Sequence, residues 1–171
     1  SGPSSLMRKF LPFVEVQEDT LSYMGVVREV TGRKNHSDLT IKAISTKEEL
    51  GMYYDLLTSA EEYSLLPDKE QYVAAEWERI EKKDGRTCYL CVDNVMVSAC
   101  STTKESRNSA IVIGVVTHPE HRNRGYASEV VNSLFQSLLN EGKYPYLFYS
   151  NPAARNVYKK LGMTEVCEWR V

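Results

Sequence analysis

The sequence predicts a mixed α/β (α+β) domain whose central, mostly antiparallel sheet of about six or seven strands is flanked by about four helices. Three observations lead to this prediction. β-Branched segments follow one another across short polar turns, other segments carry apolar residues at helical spacing, and one strand–helix–strand unit is present. A chain of 171 residues buries roughly 70% of its unfolded surface, so this domain needs no disulfide or metal to fold.

The N-terminal region is the least regular part of the chain, and the main domain is predicted over residues 38–171. A helix near Phe10 should stop before Pro12, while β-branched and aromatic residues over 20–30 favour a strand. A polar linker follows this strand. Residues 1–37 are therefore either an added helix and strand that pack on the main domain or the remnant of a preceding domain, and we favour the second interpretation.

One strand and two helices are predicted in the first half of the main domain. Apolar and polar residues alternate over 38–44, as in a half-buried strand, and Ser45 or Thr46 can cap the helix that follows. A second helix is expected over 69–83 and ends at Gly85. The apolar residues at helical spacing are Leu50, Tyr53, Tyr54 and Leu57 in the first helix and Tyr72, Val73, Trp77 and Ile80 in the second, and those of the second helix are expected to be buried.

Five strands and two helices are predicted in the second half. Short turns join the first three strands, which should form an antiparallel meander. The first helix connects the third and fourth strands as a crossover, so these two strands should be parallel. Gly142 and Gly162 provide the C-terminal stops of the two helices. The strands are expected at 87–93, 95–104, 109–117, 144–150 and 163–171, and the helices at 126–141 and 151–161.

The composition argues against several functional classes. A net charge of −2 and an isoelectric point near 6.0 differ from those of general nucleic-acid-binding proteins, which are usually basic. No apolar run reaches the ~18–20 residues that a membrane span needs, and no signal-peptide pattern is present. We therefore expect a cytoplasmic protein that binds neither nucleic acid nor membrane.

Four cysteines are present, at positions 88, 91, 100 and 167. Cys88 and Cys91 have the C-x-x-C spacing of some metal and redox sites, but both fall inside a predicted strand. Residues three apart on a strand point to opposite faces, so these two thiols should not converge on one ion. Because no second pair supports a zinc site, we expect ordinary reduced cysteines and no bound metal.

A strand that runs into a polar loop and then a helix makes residues 115–127 the most informative stretch. Arg122 and Arg124 lie in the loop, and Gly125 precedes the apolar-periodic helix. The first turn of a helix has unpaired N–H groups and a partial positive charge, which together attract an anion. Gly125 permits a positive φ and a close backbone approach, and the arginines can pair with phosphate. The stretch therefore predicts a pyrophosphate-binding site at a strand–helix junction.

Two short motifs carry the strongest functional signal. The first is Arg122-x-x-Gly125-x-Ala127, directly after a β-strand. The second combines Asn151 with Tyr158-x-x-Leu161-Gly162-Met163. They resemble, respectively, the Arg/Gln-x-x-Gly-x-Gly/Ala signature and the C-terminal Tyr-x-x-x-Gly-Phe segment of the GNAT superfamily of acyl-CoA-dependent N-acyltransferases. The predicted order of elements agrees with that fold from residue 38 to the C-terminus.

The resemblance implies an N-acetyltransferase that uses acetyl-CoA as acyl-donor co-substrate, without a metal. The acetyl group would pass to a primary amine of a small molecule or peptide by direct attack on the thioester. Tyr158 would be the catalytic general acid that protonates the departing thiolate, which suits a phenol with a pKa near 10. The residues implied to bind the cofactor are Val115, Val116, Thr117, Arg122, Asn123, Arg124, Gly125, Tyr126, Ala127, Ser128, Asn151 and Tyr158.

Each part of the cofactor has an implied partner. The backbone of Val115 and Thr117 would hold the pantetheine arm, and an amide near Val115–Val116 would stabilise the developing oxyanion. Backbone amides over 123–128, with one of the two loop arginines, would bind the pyrophosphate. Asn151 would hydrogen-bond the cofactor arm, and the same residue can also cap a helix.

The general base is not identified by the sequence. Some relatives carry a carboxylate on the strand before the loop, but residues 111–116 are Ile-Val-Ile-Gly-Val-Val. His118 and His121 lie just before the phosphate site, where structural or phosphate-facing roles are favoured over a role as base. The open candidates for the base are Glu61, Glu62 and Glu76, alongside a mechanism with no dedicated base. The candidates for an acceptor pocket are Tyr63, Trp77 and Tyr149, although core packing is the better interpretation for Trp77.

The missing strand carboxylate leaves a second functional class open. This is an acyl-CoA-binding sensor or interaction module that has lost catalysis. Nucleotide binding of the P-loop or Rossmann type is disfavoured, because neither G-x-x-x-x-G-K-[ST] nor G-x-G-x-x-G is present. A homodimer stays an open alternative to a monomer.

Overall fold

A computed structural model of the chain describes residues 1–10, 21–31 and 39–170. These residues form one eight-stranded sheet and five α-helices. The strands are β1 (Gly2–Pro3), β2 (Leu21–Val27), β3 (Ile41–Ala43), β4 (Thr87–Val92), β5 (Val95–Thr103), β6 (Ser109–Thr117), β7 (Tyr144–Tyr149) and β8 (Met163–Arg170). The helices are α1 (Ser4–Phe10), α2 (Lys47–Thr58), α3 (Lys69–Glu81), α4 (Tyr126–Asn140) and α5 (Pro152–Lys160).

The main domain confirms the predicted fold class and order of elements. β4, β5 and β6 form an antiparallel meander, and β6 and β7 are parallel across the α4 crossover. Helices α4 and α5 end just before Gly142 and Gly162, as predicted. Both glycines adopt the left-handed conformation that stops a helix, with φ angles of 76° and 100°. Strand β3 is shorter than the predicted 38–44, because only Ile41–Ala43 pair with β4.

Strand β2 lies inside the sheet, in the order β1-β8-β2-β7-β6-β5-β4-β3. It pairs antiparallel with β7 on one side, where Tyr23 faces Tyr149, and with β8 on the other, where Val27 faces Met163. The strand predicted over 20–30 is therefore part of this sheet. The origin of the N-terminal region in a preceding domain stays a prediction, and Pro12 and the polar linker after residue 31 lie outside the described residues.

Two apolar cores cover the two faces of the sheet. On one face, α4 packs its fully buried Leu134 and Phe135 against the strands; on the other, α2 contributes Leu50 and Tyr53. Burying one such side chain contributes about 1.5–3 kcal/mol. Residues of α3 predicted to be buried are only half-buried and pack at the margin of the second core. No helix within the described ranges combines the length and apolar character needed to cross a membrane.

The C-x-x-C pair is divided between these two cores, as its position in a strand predicted. Cys88 packs against the core beneath α4, and Cys91 packs against the core beneath α2. All four cysteines are free thiols. Within the described part of the chain, no group of three or more His, Cys, Asp or Glu side chains is placed to hold a metal ion.

Candidate active site

A cavity of about 490 Å³ opens where β6 and β7 separate. The parallel register of these strands runs from the Ser109–Tyr144 pair to the Val112–Leu147 pair and goes no further. Beyond it, the cavity is bounded by the second half of β6, the first turn of α4, the end of β7 and the start of α5. A 3₁₀ turn at Glu61–Tyr63, after α2, forms the remaining wall. The carboxyl ends of two diverging parallel strands are a common place for a ligand.

A bulge in β6 forms one wall of this cavity. Ile113 pairs with Ser101 of β5 and Val116 pairs with Ala99, so the register shifts between them at Gly114, whose φ is 58°. The carbonyl of Gly114 accepts a hydrogen bond from the Tyr53 hydroxyl at 3.1 Å. The carbonyl of Val115 accepts one from the Tyr63 hydroxyl at 3.4 Å. Two tyrosines from the α2 side therefore hold the bulge against the cavity.

The loop after β6 leads the backbone into the positive end of α4. Asn123 and Gly125 both adopt left-handed conformations, with φ of 61° and 83°. Gly125 is also the N-cap of α4, and a glycine has no side chain with which to cap the first N–H groups. Tyr126, Ala127 and Ser128 of this first turn line the cavity. Helix N–H groups and a partial positive charge are thus present at one end of the cavity.

Arg122 and Glu62 face each other across the mouth of the cavity. The Arg122 guanidinium lies 3.6 Å from the Glu62 carboxylate, and these side chains are 45% and 57% exposed, so the pair contributes little to stability. Arg122 Nε also donates to the carbonyl of Thr117 at 3.2 Å. Glu62 is the one carboxylate among the described residues that line the cavity. The other two candidate bases lie elsewhere, and Arg79 pairs with Glu76.

Tyr158 reaches the cavity from α5. Its side chain is buried, and its ring packs edge-on against Tyr149, with the ring centroids 5.9 Å apart and the planes at 62°. Burial raises the pKa of the Tyr158 hydroxyl well above its usual value, and the nearby Tyr63 adds to the rise. The hydroxyl therefore stays protonated at neutral pH and can donate a proton or a hydrogen bond.

Asn151 caps the helix that carries Tyr158. Its Oδ1 accepts a hydrogen bond from the Ala153 amide at 2.8 Å, and Pro152 occupies the first helical position. The same residue lines the cavity. Capping and contact with a ligand are compatible, because Asn151 lies at the boundary between the end of β7 and α5.

A charged cluster behind Tyr149 was not identified from the sequence. Glu165 of β8 accepts hydrogen bonds from the Tyr149 hydroxyl at 2.6 Å and from Nε and Nη2 of Arg155 at 2.7 Å each. Lys159 Nζ lies 2.8 Å from the same carboxylate. Arg155 first, and then Lys159 and Tyr149, hold the pKa of Glu165 well below its usual value. No motif marks Glu165, because its partners come from two other elements.

The structure brings together nearly all of the predicted site residues. Every residue predicted to bind the cofactor lines the cavity except Arg124. Tyr63 and Tyr149 also line it, whereas Trp77 does not and instead packs at the margin of the core beneath α2. His121 lines the cavity too, and its buried Nδ1 has no hydrogen-bond partner among the described residues.

Comparison with known proteins agrees with this architecture. The family model described as the acetyltransferase (GNAT) family matches residues 50–163. The comparison with curated proteins found no match.

Several solved structures share the fold. An acetyltransferase from the GNAT family of Colwellia psychrerythraea has a TM-score of 0.73 and 14% identity, covering 99% of this chain and 62% of that one. A GCN5-related N-acetyltransferase from Kribbella flavida has a TM-score of 0.70 and 16% identity, covering 98% and 63%. The chain thus spans less than two thirds of the length of these relatives.

A third structure, described as a predicted acetyltransferase with acetyl-CoA from Clostridium acetobutylicum, has a TM-score of 0.58 and 10% identity, covering 71% of this chain and 87% of that one. Identities this low show a shared fold alone. The family model covers most of the main domain, including the β6 bulge and the residues around Tyr158. The chain belongs to the acetyltransferase (GNAT) family.

Proposed function

We propose that the cavity is the active site of an N-acetyltransferase that moves an acetyl group from acetyl-CoA to a primary amine by direct attack, with Tyr158 as general acid. The observation that carries the proposal is that the buried, protonated Tyr158 lines the same cavity as the β6 bulge and the glycine-capped start of α4. Family membership supports acyl transfer as the reaction class. The activity of the complete protein and its acceptor, a small molecule or peptide amine, belong to this proposal.

The described residues fit an acyl-CoA. When bound, this group supplies an activated acyl carbonyl and a thiolate leaving group. Asn123 and Gly125 line the cavity in the left-handed conformation that occurs in anion-binding nests, and Arg122 adds a positive charge there. The buried Nδ1 of His121, which no described residue hydrogen-bonds, offers a further polar contact at this end. A pyrophosphate suits these donors, with Arg122 the better placed of the two loop arginines because it lines the cavity.

The β6 bulge suits the arm and the reacting carbonyl. Beyond Val112, the edge of β6 that faces β7 has no strand partner in the described sheet, so the backbone of Val115 and Thr117 can pair with an amide-bearing arm. We assign the backbone N–H at Val115–Val116 to the acyl carbonyl oxygen, where it would stabilise negative charge as the amine attacks. Asn151 would contact the arm from the β7 side of the gap between β6 and β7.

Tyr158 and Glu62 divide the proton transfers in this proposal. Tyr158 donates its proton to the departing sulfur, since its raised pKa keeps it protonated throughout the neutral range. Glu62 accepts the proton of the incoming ammonium, directly or through water, because its carboxylate lies at the wall of the cavity. In the structure Glu62 is paired with Arg122, so engagement of Arg122 by phosphate would release it.

A thiol-release assay with acetyl-CoA and a panel of primary amines tests the proposal. Wild type should turn over at least one amine, and Tyr158→Phe should lower kcat by about 10²-fold, the usual contribution of a general acid. Tyr54→Phe is the matched control, because the Tyr54 hydroxyl donates to the Pro67 carbonyl at 2.8 Å and the residue does not line the cavity. A wild-type rate in Tyr158→Phe would remove the acid role from that residue.

The base assignment has a separate test. Glu62→Gln should lower kcat/KM at neutral pH and move the pH–rate profile to higher pH, where the amine is neutral without help, since the amide cannot take up a proton. Glu61→Gln is the neighbouring control, because Glu61 is not among the cavity-lining residues. An unchanged profile in Glu62→Gln would favour reaction without a dedicated base.

A second candidate function is an acyl-CoA-binding module without catalysis. The observation that favours it is that β6, described over its whole length, carries no carboxylate beside the cavity. Calorimetry would then show saturable binding of CoA while no amine is acetylated. Turnover of any amine rules this candidate out.

A further inference from the structure

One carboxylate joins three elements next to the proposed acid. Glu165 of β8 binds Tyr149 of β7 and both Arg155 and Lys159 of α5, with four polar contacts between 2.6 and 2.8 Å. The two contacts with Arg155 form a two-point, planar pair, which restrains orientation as well as distance. Glu165 does not line the cavity.

Helix α5 presents different residues to Glu165 and to the cavity. Arg155 and Lys159 are four residues apart and therefore lie on the same side of the helix, where both meet Glu165. Ala154 and Tyr158, also four apart, line the cavity. If α5 rotated or slid so that Tyr158 moved, the contacts of Arg155 and Lys159 with Glu165 would have to break.

Tyr149 provides a second connection from Glu165 to Tyr158. Its hydroxyl donates to Glu165, and its ring packs edge-on against the Tyr158 ring. The Tyr149 ring also stacks on Tyr23, with centroids 5.9 Å apart and planes at 26°. The Tyr149 ring thus has little freedom to turn, and the Tyr158 ring rests on it.

We propose that Glu165 is a positioning residue for Tyr158: it fixes the rotation of α5 and the ring of Tyr149, so that the Tyr158 hydroxyl is held towards the reacting sulfur. This inference rests on the proposed acid role of Tyr158. Glu165 and Arg155 are 25% and 43% exposed, but a two-point pair with Lys159 as a second cation can also contribute to folding. A loss of geometry has to be distinguished from a loss of stability, so each variant is assayed below its own unfolding temperature.

A double-mutant cycle tests the connection. Glu165→Gln keeps the size of the side chain but removes its charge; we expect kcat to fall roughly tenfold, as for a small misplacement of a catalytic group, with the KM for acetyl-CoA unchanged. In the Tyr158→Phe background, Glu165→Gln should have no further effect, since the group that it positions is gone. Equal losses in both backgrounds would overturn the proposal. Glu78→Gln, which removes an exposed carboxylate paired with Lys82 on α3, is the matched control.

A second measurement does not depend on turnover. In protein labelled with [¹³Cζ]tyrosine, the Tyr158 resonance is identified by its loss in Tyr158→Phe. Glu165→Gln should shift the resonances of Tyr158 and Tyr149 and leave the resonance of Tyr54 unchanged. The control Glu78→Gln should shift none of these three resonances. An unmoved Tyr158 resonance would contradict the proposal. Arg155→Lys, which keeps the charge but loses the two-point hydrogen bond, should shift Tyr158 in the same direction and serves if Glu165→Gln does not fold.

The two proposals can fail separately. Wild-type turnover in Tyr158→Phe would reject the acid role, whereas the spectrum would still show whether Glu165 holds Tyr158. A large loss in Tyr158→Phe together with full activity and an unchanged spectrum in Glu165→Gln would reject the positioning role alone.

Discussion

At the scale of single residues, Gly114 shows how one backbone conformation shapes the cavity wall. Its φ of 58° creates the bulge that separates the Ile113 and Val116 pairings with β5. A Cβ at this position would collide with the Tyr53 hydroxyl, which instead donates to the Gly114 carbonyl. A residue with a side chain would therefore meet both backbone strain and a steric clash here.

Substitution of Gly114 should cost more than substitution of an equally left-handed glycine in open space. Gly142 has φ of 76°, and no atom lies within 4 Å of the position that a Cβ would take there, so Gly142→Ala should destabilise by only about 1–2 kcal/mol. Gly114→Ala should cost about 1–3 kcal/mol more, because the clash with Tyr53 adds to the same strain. Urea denaturation of the two variants measures the difference. Equal losses would show that the Tyr53 contact carries no cost, and Tyr53→Phe should relieve part of the Gly114→Ala effect.

The sequence could identify some residues of the candidate site and not others. Gly125 and Tyr158 were found because each falls in a short motif whose spacing is local. Glu62 could be named only as one of three candidates, since a three-dimensional cavity decides which carboxylate faces it. Glu165 was missed altogether, because its role depends on side chains from β7 and α5 that meet it only in the folded chain.

At the scale of elements, α5 shows how a short helix is set in place at both ends. Asn151 caps its N-terminus and Gly162 follows its C-terminus in the left-handed conformation, while Lys159 and Lys160 lie in its last turn. A helix of this length is marginal in isolation, so its caps and its packing on the sheet decide whether it forms. The position of Tyr158 depends on that outcome.

The two roles of Asn151 can be separated by substitution. Asn151→Ala should lower the free energy of unfolding by about 1 kcal/mol, because the Ala153 amide loses its acceptor. Asn151→Ser keeps the cap and should leave stability nearly unchanged. If Asn151 also contacts the cofactor arm, both variants should raise the KM for acetyl-CoA. Thermal denaturation and steady-state kinetics on the same preparations check both expectations, and a normal KM in Asn151→Ser would leave capping as the only role.

Elements were predictable where their signals are local. The meander of β4–β6, the α4 crossover and both helix-ending glycines follow from periodicity and turn residues, and the structure confirms them. The position of β2 in the strand order could not be predicted in the same way. Its strand character is visible in its β-branched and aromatic residues, but its partners β7 and β8 lie at the other end of the chain.

At the scale of the whole molecule, a charged network joins four segments at the end of the sheet opposite the cavity. Arg86, just before β4, donates to Glu105 through Nε and Nη2 at 2.8 and 2.7 Å and also binds Glu141 at the end of α4. Lys143, just before β7, contacts both carboxylates, at 2.6 and 3.1 Å. Hydrogen bonds from Arg86, and then from Lys143, lower the pKa of Glu141 to about 2.

This network should make the fold sensitive to acid. A carboxyl group whose pKa falls from 4.5 to about 2 on folding stabilises the folded state above pH 4.5, and that contribution is lost as the pH falls towards 2. Glu141→Gln should therefore be less stable than wild type at pH 7, and the two proteins should converge near pH 2. Chemical denaturation between pH 7 and pH 2 measures this. Glu78→Gln, at an exposed pair within one helix, should show a smaller difference, and a constant gap for Glu141→Gln at all pH values would contradict the linkage.

The position of β2 has a consequence for biosynthesis. A ribosome makes β2 long before either of its neighbours in the sheet, because β7 and β8 lie far along the chain from it. Until β7 emerges, the nascent chain carries a strand with two unsatisfied edges, and one edge stays unsatisfied until β8 emerges; such an edge can pair with another molecule as readily as within the chain. Refolding yield should therefore fall steeply with protein concentration, and strand-exchanged dimers should be the first off-pathway product.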